Sequence, residues 1–228
     1  MLRKKKVMVF AAHPDDEILG CGGTIAMHSK KKDIVQIVFF TDGEGARFTG
    51  NKNQKKIDSR KNSAIKVSKL LKVKLPIFNY FPDNQLDTVA FLKVVKFVEK
   101  NINKFKPDTI YTHFPHDLNI DHRIVSKAVV TACRPQKKSK VKNILFFEIP
   151  SSTEWKIDYK KRNLSSPNWF ENISSTYKTK IKALKIYKKE LRKWPHPRSI
   201  KGVQSLARWR GATAGYHSAE AFVLGRKT

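Results

Sequence analysis

The chain has 228 residues, 40% of them apolar, with 47 Lys and Arg against 19 Asp and Glu and a formal charge of +28. That length suits one α/β domain with a sizeable core, and the apolar share excludes wholesale disorder. The basic excess points to an anionic partner, whether nucleic acid, a membrane surface, or a phosphorylated or nucleotide-linked substrate.

Residues 7–10 read as a short buried strand. It runs into Ala11-Ala12-His13-Pro14-Asp15-Asp16-Glu17 and then a Gly-rich buried helix over 18–27. One imidazole and three carboxylates therefore stand where a strand ends and a helix begins, the place where open α/β sheets bind ligands. Helix capping accounts for one such carboxylate. It gives no reason for an adjacent His locked by Pro14. A divalent metal does: the imidazole and one carboxylate hold the ion, and the neighbouring carboxylate stays free to handle a proton.

Residues 33–41 form a second buried strand, ending in the turn-rich loop Asp42-Gly43-Glu44-Gly45-Ala46-Arg47. Ile57, Ala64, Val67 and Leu71 have the spacing of a helix lying on a sheet. Residues 76–81 form a third strand, Asp83-Asn84-Gln85 a turn, and 88–105 an amphipathic helix with Phe91, Val94, Val98, Ile102 and Phe105 on one face. Residues 108–114 form the fourth strand. Crossovers of this length demand a parallel sheet. The order 3-2-1-4 then sets strand four beside strand one, so its end faces His13.

That end carries His113, His116, Asp117, Asp121 and His122, just before a helix over 124–133. Asp121 reads as the helix N-cap, with His122 in the first turn facing the crevice. His13, Asp16 and His122 would make a set of two His and one carboxylate with an open position for water, the ligand count of a catalytic zinc.

The second half says less. Residues 143–149 and 169–173 read as strands, and the polar stretch 150–167, with Trp155 and Tyr159, either roofs the site or is a surface excursion held by two aromatics. Tyr177, Ile181, Leu184, Tyr187 and Leu191 mark an amphipathic helix. Trp194 to Ser199 breaks the chain before a last helix through Trp209. His196, between two prolines, reads as a rigid turn residue. Arg198, Arg208 and Arg210 either hold a substrate phosphate or brace the C-terminus. No linker divides the chain. The expected architecture is one domain over 1–228, an α/β Rossmann-like three-layer fold with a mostly parallel sheet. Its core spans about 5–150, and the C-terminal helices and a strand within 170–226 pack on it. Cys21 and Cys133 lie far apart in buried helices, which fits a reduced, cytoplasmic setting. No window could span a bilayer, and peripheral membrane contact is left open but not indicated. Lys61, Lys66, Lys69 and Lys72 spread along helix outer faces without interleaved aromatics, so specific nucleic-acid binding is not expected.

The segment from Ala12 to Glu17, the loop Thr41-Asp42-Gly43-Glu44 and the later Asp121-His122 pair closely resemble the PIG-L/LmbE family of zinc-dependent N-deacetylases. A C-terminal pattern, Arg210-Gly211 and then Ala219-Glu220-Ala221-Phe222, is also similar to one in many members. The resemblance implies His13, Asp16 and His122 as ligands of Zn²⁺, with Fe²⁺ another divalent candidate, and Asp15 as general base. Many members have a His three positions before the last ligand, where this chain has Asn119. The acid or oxyanion role then falls to His116 or His113, with His116 the leading candidate. Arg47, whose planar fork suits sugar hydroxyls and phosphates, and Asn119 are the candidate substrate-binding residues. The implied reaction removes the N-acetyl group of a small N-acetylglucosamine-type sugar conjugate, releasing acetate and a free amine; a homo-oligomer is left open. Two alternatives remain: a related hydrolase of another amide, such as a thiol conjugate or antibiotic precursor, and a basic polyanion-binding protein with a vestigial cluster.

Overall fold

The computed structural model describes residues 4–45, 54–136, 140–157 and 166–228. Arg47 and Tyr159 lie outside the described residues. Strands β1 (Lys6–Ala11), β2 (Ile34–Thr41), β3 (Ile77–Phe81), β4 (Thr109–His113) and β5 (Asn143–Phe147) are mutually parallel. Between them run α1 (Asp16–Lys30), α2 (Gln54–Leu70), a 3₁₀ turn at Leu86–Thr88, α3 (Phe91–Phe105) and α4 (Ile120–Ala132). After β5 come β6 (Trp169–Asn172), α5 (Tyr177–Ile186), α6 (Ile200–Thr213) and β7 (Ala219–Lys227). The seven-stranded sheet has the order β3-β2-β1-β4-β5-β7-β6.

Alternation along β1 sets the layers. Val7, Val9 and Ala11 join α1, α2, α5 and α6 on one face, while Met8, Phe10 and Ala12 join α3 and α4 on the other. Strands buried on both faces read as unbroken apolar runs for this reason. The first four strands follow the 3-2-1-4 order expected from long right-handed crossovers. β7 enters antiparallel between β5 and β6, pairing Phe147 with Phe222 and Trp169 with Phe222 on its two sides.

Three boundaries differ from the sequence expectation. Helix α4 starts at Ile120, and its N-cap is Asn119, whose side chain accepts from the Asp121 and His122 amides; Asp121 is not the cap. Helix α5 stops at Ile186, and the chain beyond it turns so that Tyr187 is buried. Helix α1 breaks at Cys21 (φ −146°, ψ 26°). The break frees backbone groups that a buried ion pair then satisfies: Glu220 accepts from the Gly23 (2.9 Å) and Thr24 (2.7 Å) amides, and Lys180 donates to the Leu19 carbonyl (2.9 Å). Lys180 and Glu220 are themselves 2.6 Å apart. The glycines of this helix serve close approach, since a Cβ on Gly20 would sit 2.5 Å from the Phe147 ring. Cys21 and Cys133 are free and buried. Among the described residues no helix is long and apolar enough to cross a membrane.

Candidate active site

The chain leaves β1 through His13-Pro14-Asp15, and Asp15 takes φ 134°, ψ −28°. A non-glycine residue there stores strain of order 1–3 kcal/mol and persists only where its surroundings hold it. The Asp15 amide donates to Glu17 Oε2 (2.9 Å), and Tyr187 from the far end of the chain donates to Glu17 Oε1 (2.7 Å). Burial pushes the Glu17 carboxyl up to about 8.

Three side chains converge on one point. His13 Nδ1 and Asp16 Oδ2 are 3.1 Å apart, His122 Nε2 and Asp16 Oδ2 3.3 Å, and the two imidazole nitrogens 3.3 Å. A tetrahedral divalent site with bonds of about 2.0–2.1 Å has donor–donor edges of roughly 3.3 Å. The outer nitrogens face carboxylates: His13 Nε2 lies 3.2 Å from Asp83 Oδ1 and 3.3 Å from Asp121 Oδ2, and His122 Nδ1 lies 3.0 Å from Asp117 Oδ1. Carboxylates there favour a proton on each outer nitrogen and leave the inner lone pairs facing each other. Two lone pairs and a carboxylate oxygen at these separations are a donor set that fits a divalent cation. Burial opposes charge on His13, yet Asp16, Asp121 and Asp83 outweigh it and raise its pKa well above the usual value. Burial likewise opposes charge on His122, and Asp16 and Asp117 raise its pKa. Burial disfavours the Asp16 anion, but His122 and His13 hold it well below the carboxylate range.

Asp15 points elsewhere. Its two carboxylate oxygens and Asp16 Oδ1 are buried without a hydrogen-bond partner. Arg60 Nη2 stands 3.2 Å and Arg198 Nη1 3.7 Å from the Asp15 oxygens. Burial raises the Asp15 pKa, and the Arg60 guanidinium opposes that rise. Arg60 is buried and spans both sides: Nε donates to the Pro14 carbonyl (2.8 Å), Nη1 to the Gly43 carbonyl, and Nη1 pairs with Glu44 (3.2 Å) and Glu190 (3.3 Å). Arg198 Nε donates to Pro150 O (3.1 Å) and Ser151 Oγ (2.8 Å).

The structure thus brings together His13, Asp15, Asp16 and His122. It leaves His116 exposed, with its ring against Phe114 (5.7 Å), and does not bring it to the cluster. His113 is buried and stacked on His122 (centroids 3.9 Å apart, 17° between planes), and its Nε2 accepts from the Ala12 amide (2.8 Å). Burial and then His122 hold its pKa well below the usual value, so this imidazole is a neutral acceptor. Asn119 works from behind, since its amide group caps α4 and donates to Asn84 Oδ1 (2.8 Å). Arg210 braces the chain through a two-pronged pair with Glu148 (2.8 and 2.7 Å), and Arg208 is exposed. The residues that sequence reasoning passed over are Arg60, Glu17, Tyr187, Asp83 and Asp117. For Arg60 a signal existed: it falls between Ile57 and Ala64 on the apolar face of α2, where a cation has to be paired.

A Rossmann-like sheet with two imidazoles and a carboxylate that could hold a divalent cation, and a second buried carboxylate beside them at the ends of β1 and β4, defines the class of α/β proteins whose site suits metal-assisted hydrolysis. The chain belongs to the PIG-L family: the family model, described as GlcNAc-PI de-N-acetylase, matches residues 8–133. It is a hydrolase of the deacetylase type. It is 28% identical over 193 residues to the uncharacterized deacetylase YaiS of Escherichia coli (strain K12), covering 82% of this chain and 92% of that one. It is 28% identical to a probable N-acetyl-alpha-D-glucosaminyl L-malate deacetylase 2 of Bacillus subtilis (strain 168), covering 59% of this chain and 63% of that one. The N,N'-diacetylchitobiose deacetylase from Pyrococcus horikoshii has the same fold, with a TM-score of 0.77, 20% identity, and coverage of 97% of this chain and 84% of that one.

Proposed function

We propose that this protein is a zinc-dependent hydrolase that removes the N-acetyl group of an N-acetylglucosamine-type sugar conjugate. The observation that carries it is the set of 3.1–3.3 Å separations among His13, Asp16 and His122, with the buried Asp15 carboxylate, which faces the Arg60 and Arg198 guanidiniums and makes no hydrogen bond, beside them. These three residues would hold the ion. When bound, Zn²⁺ supplies a Lewis acid and a water of lowered pKa.

The chain's own groups do the rest. Asp15, whose anion Arg60 and Arg198 favour against its burial, takes a proton from the attacking water as the water oxygen bonds to the acetyl carbon. The C–N bond then breaks with its electron pair going to nitrogen. Asp15 returns the proton there, so acetate and a free amine leave. Glu17 and Tyr187 hold the strained Asp15 backbone in place for both transfers. The probable N-acetyl-alpha-D-glucosaminyl L-malate deacetylase relative and the GlcNAc-PI de-N-acetylase family model support the sugar part of this reading.

Metal analysis of the purified protein, then acetate release from a panel of N-acetylated sugars, tests it. One bound zinc per chain and metal-dependent release are expected. Full turnover in thoroughly metal-free protein would sink the proposal.

A further inference from the structure

The mouth of this site carries an apolar rim that the chemistry leaves unused. The loop after β5 crosses Asp117, whose carboxylate accepts from the Ser152 and Thr153 hydroxyls. Arg198 ties that loop to the turn at 193–198, and the Trp155 ring meets His196 edge-on at 5.4 Å. Because Arg198 also reaches Asp15, both segments stand beside the reactive carboxylate. Their outward side chains are Trp155, Ile157 and Trp194, which are 49%, 72% and 54% exposed. Leu118, whose amide donates to Ser152 O (3.4 Å), is half-exposed next to them.

Cations stand at the Trp194 end of this rim. Tyr187 and Glu190 are buried, Glu190 against Arg60, and they anchor the segment after α5. Lys188, Lys189, Arg192 and Lys193 are left facing solvent. Lys201 places its ammonium 4.6 Å from the Trp194 ring centroid. Indoles and an aliphatic chain set beside cations match the headgroup boundary of a bilayer carrying negative charge. A sugar platform fits less well, since Lys201 covers one face of Trp194 and Ile157 has nothing to stack. A nucleic acid would engage the cations and leave the apolar side chains in water.

We infer that the Trp155–Ile157–Trp194 rim is a docking surface for an anionic lipid bilayer, holding the mouth of the site against the membrane. No spanning helix is needed, because two indoles and a cluster of cations are the two signals that peripheral anchoring takes. The full-length protein is mixed with phosphatidylcholine vesicles and with equimolar phosphatidylcholine–phosphatidylglycerol vesicles, then sedimented. Binding to the acidic vesicles should be on the order of a hundredfold tighter, with a blue-shifted tryptophan emission. The double variant Trp155→Ala/Trp194→Ala should bind about tenfold more weakly, while Trp209→Ala, altered on the exposed face of α6, binds like the parent. Lys188→Glu/Lys193→Glu should weaken binding to acidic vesicles by about tenfold or more and so checks the charge contribution separately. The inference is overturned by absent vesicle binding, by binding that the double variant leaves unchanged, or by a raised KM for soluble N-acetylglucosamine with vesicle binding intact. Sedimentation requires no turnover, so it stands or falls apart from the deacetylase reading.

Discussion

The region through α4 and the region from β6 onward contribute different things to one site. The first supplies the groups proposed to hold the ion or move the proton, all at the carboxyl ends of parallel strands: His13, Asp15 and Asp16 after β1, and His122 after β4. The second contributes no candidate ligand. It sends in Tyr187, Glu190, Arg198, Lys180 and Glu220, which pair with Glu17, Arg60, Asp15 and the broken α1 backbone. The comparison shows that reactive groups cluster where loops converge, while their geometry depends on buried partners supplied from across the fold. The two regions meet at Arg60, which neutralises Asp15 and Glu44 on one side and Glu190 on the other.

Five substitutions or conditions press on that division, in falling order of effect. Asp15→Asn should lower kcat by about 10²–10⁴-fold while bound zinc stays at one per chain, read by acetate release and metal analysis side by side. Near-normal turnover would remove Asp15 from the base role. Arg60→Met removes the buried cation that Asp15, Glu44 and Glu190 share and should cost about 3–5 kcal/mol in denaturant unfolding. A loss under about 1 kcal/mol would show that the two regions do not depend on this side chain. Glu220→Gln, in the supporting region, should cost about 1–3 kcal/mol yet change kcat less than about tenfold. A larger loss of turnover than of stability would erase the distinction drawn between the regions.

The fourth concerns pH. Glu17 is pushed from 4.5 up to about 8 in the folded protein. Between those values the folded state keeps a proton that the unfolded chain has released. Stability is therefore greatest below the lower limit and falls as pH rises through the window, by at most about 1.4 kcal/mol per unit. Melts of metal-free protein across about pH 5 to 8 should show this slope, and Glu17→Gln should flatten it. The smallest effect belongs to His116→Ala, which should shift stability by no more than about 0.5 kcal/mol and kcat by less than about twofold.

Much of the first region was legible before any coordinates. Apolar runs over 7–10 and 33–41, punctuated by Gly, Pro and Asp, mark buried strands because a strand covered on both faces excludes charge. Long crossovers force parallel pairing, and that alone directs the loop after β4 toward His13. The supporting region was harder to read. Its strand β7 pairs antiparallel with partners dozens of residues away, and α5 ends where Tyr187 turns inward to Glu17, a contact across 170 positions of sequence. Local periodicity carries no record of such partners.

By itself, then, the sequence determined the alternation of strands and helices, the parallel order of the first four strands, and the gathering of imidazoles and carboxylates at two strand ends, because these follow from near-neighbour spacing and chain connectivity. Tertiary structure alone decided that Asn119 rather than Asp121 caps α4, that His113 lies inside as an acceptor while His116 stays in solvent, and that Arg60 stands against Asp15. Those outcomes depend on which buried polar groups find partners once distant segments close around them, since an unpaired group away from water is too costly to keep.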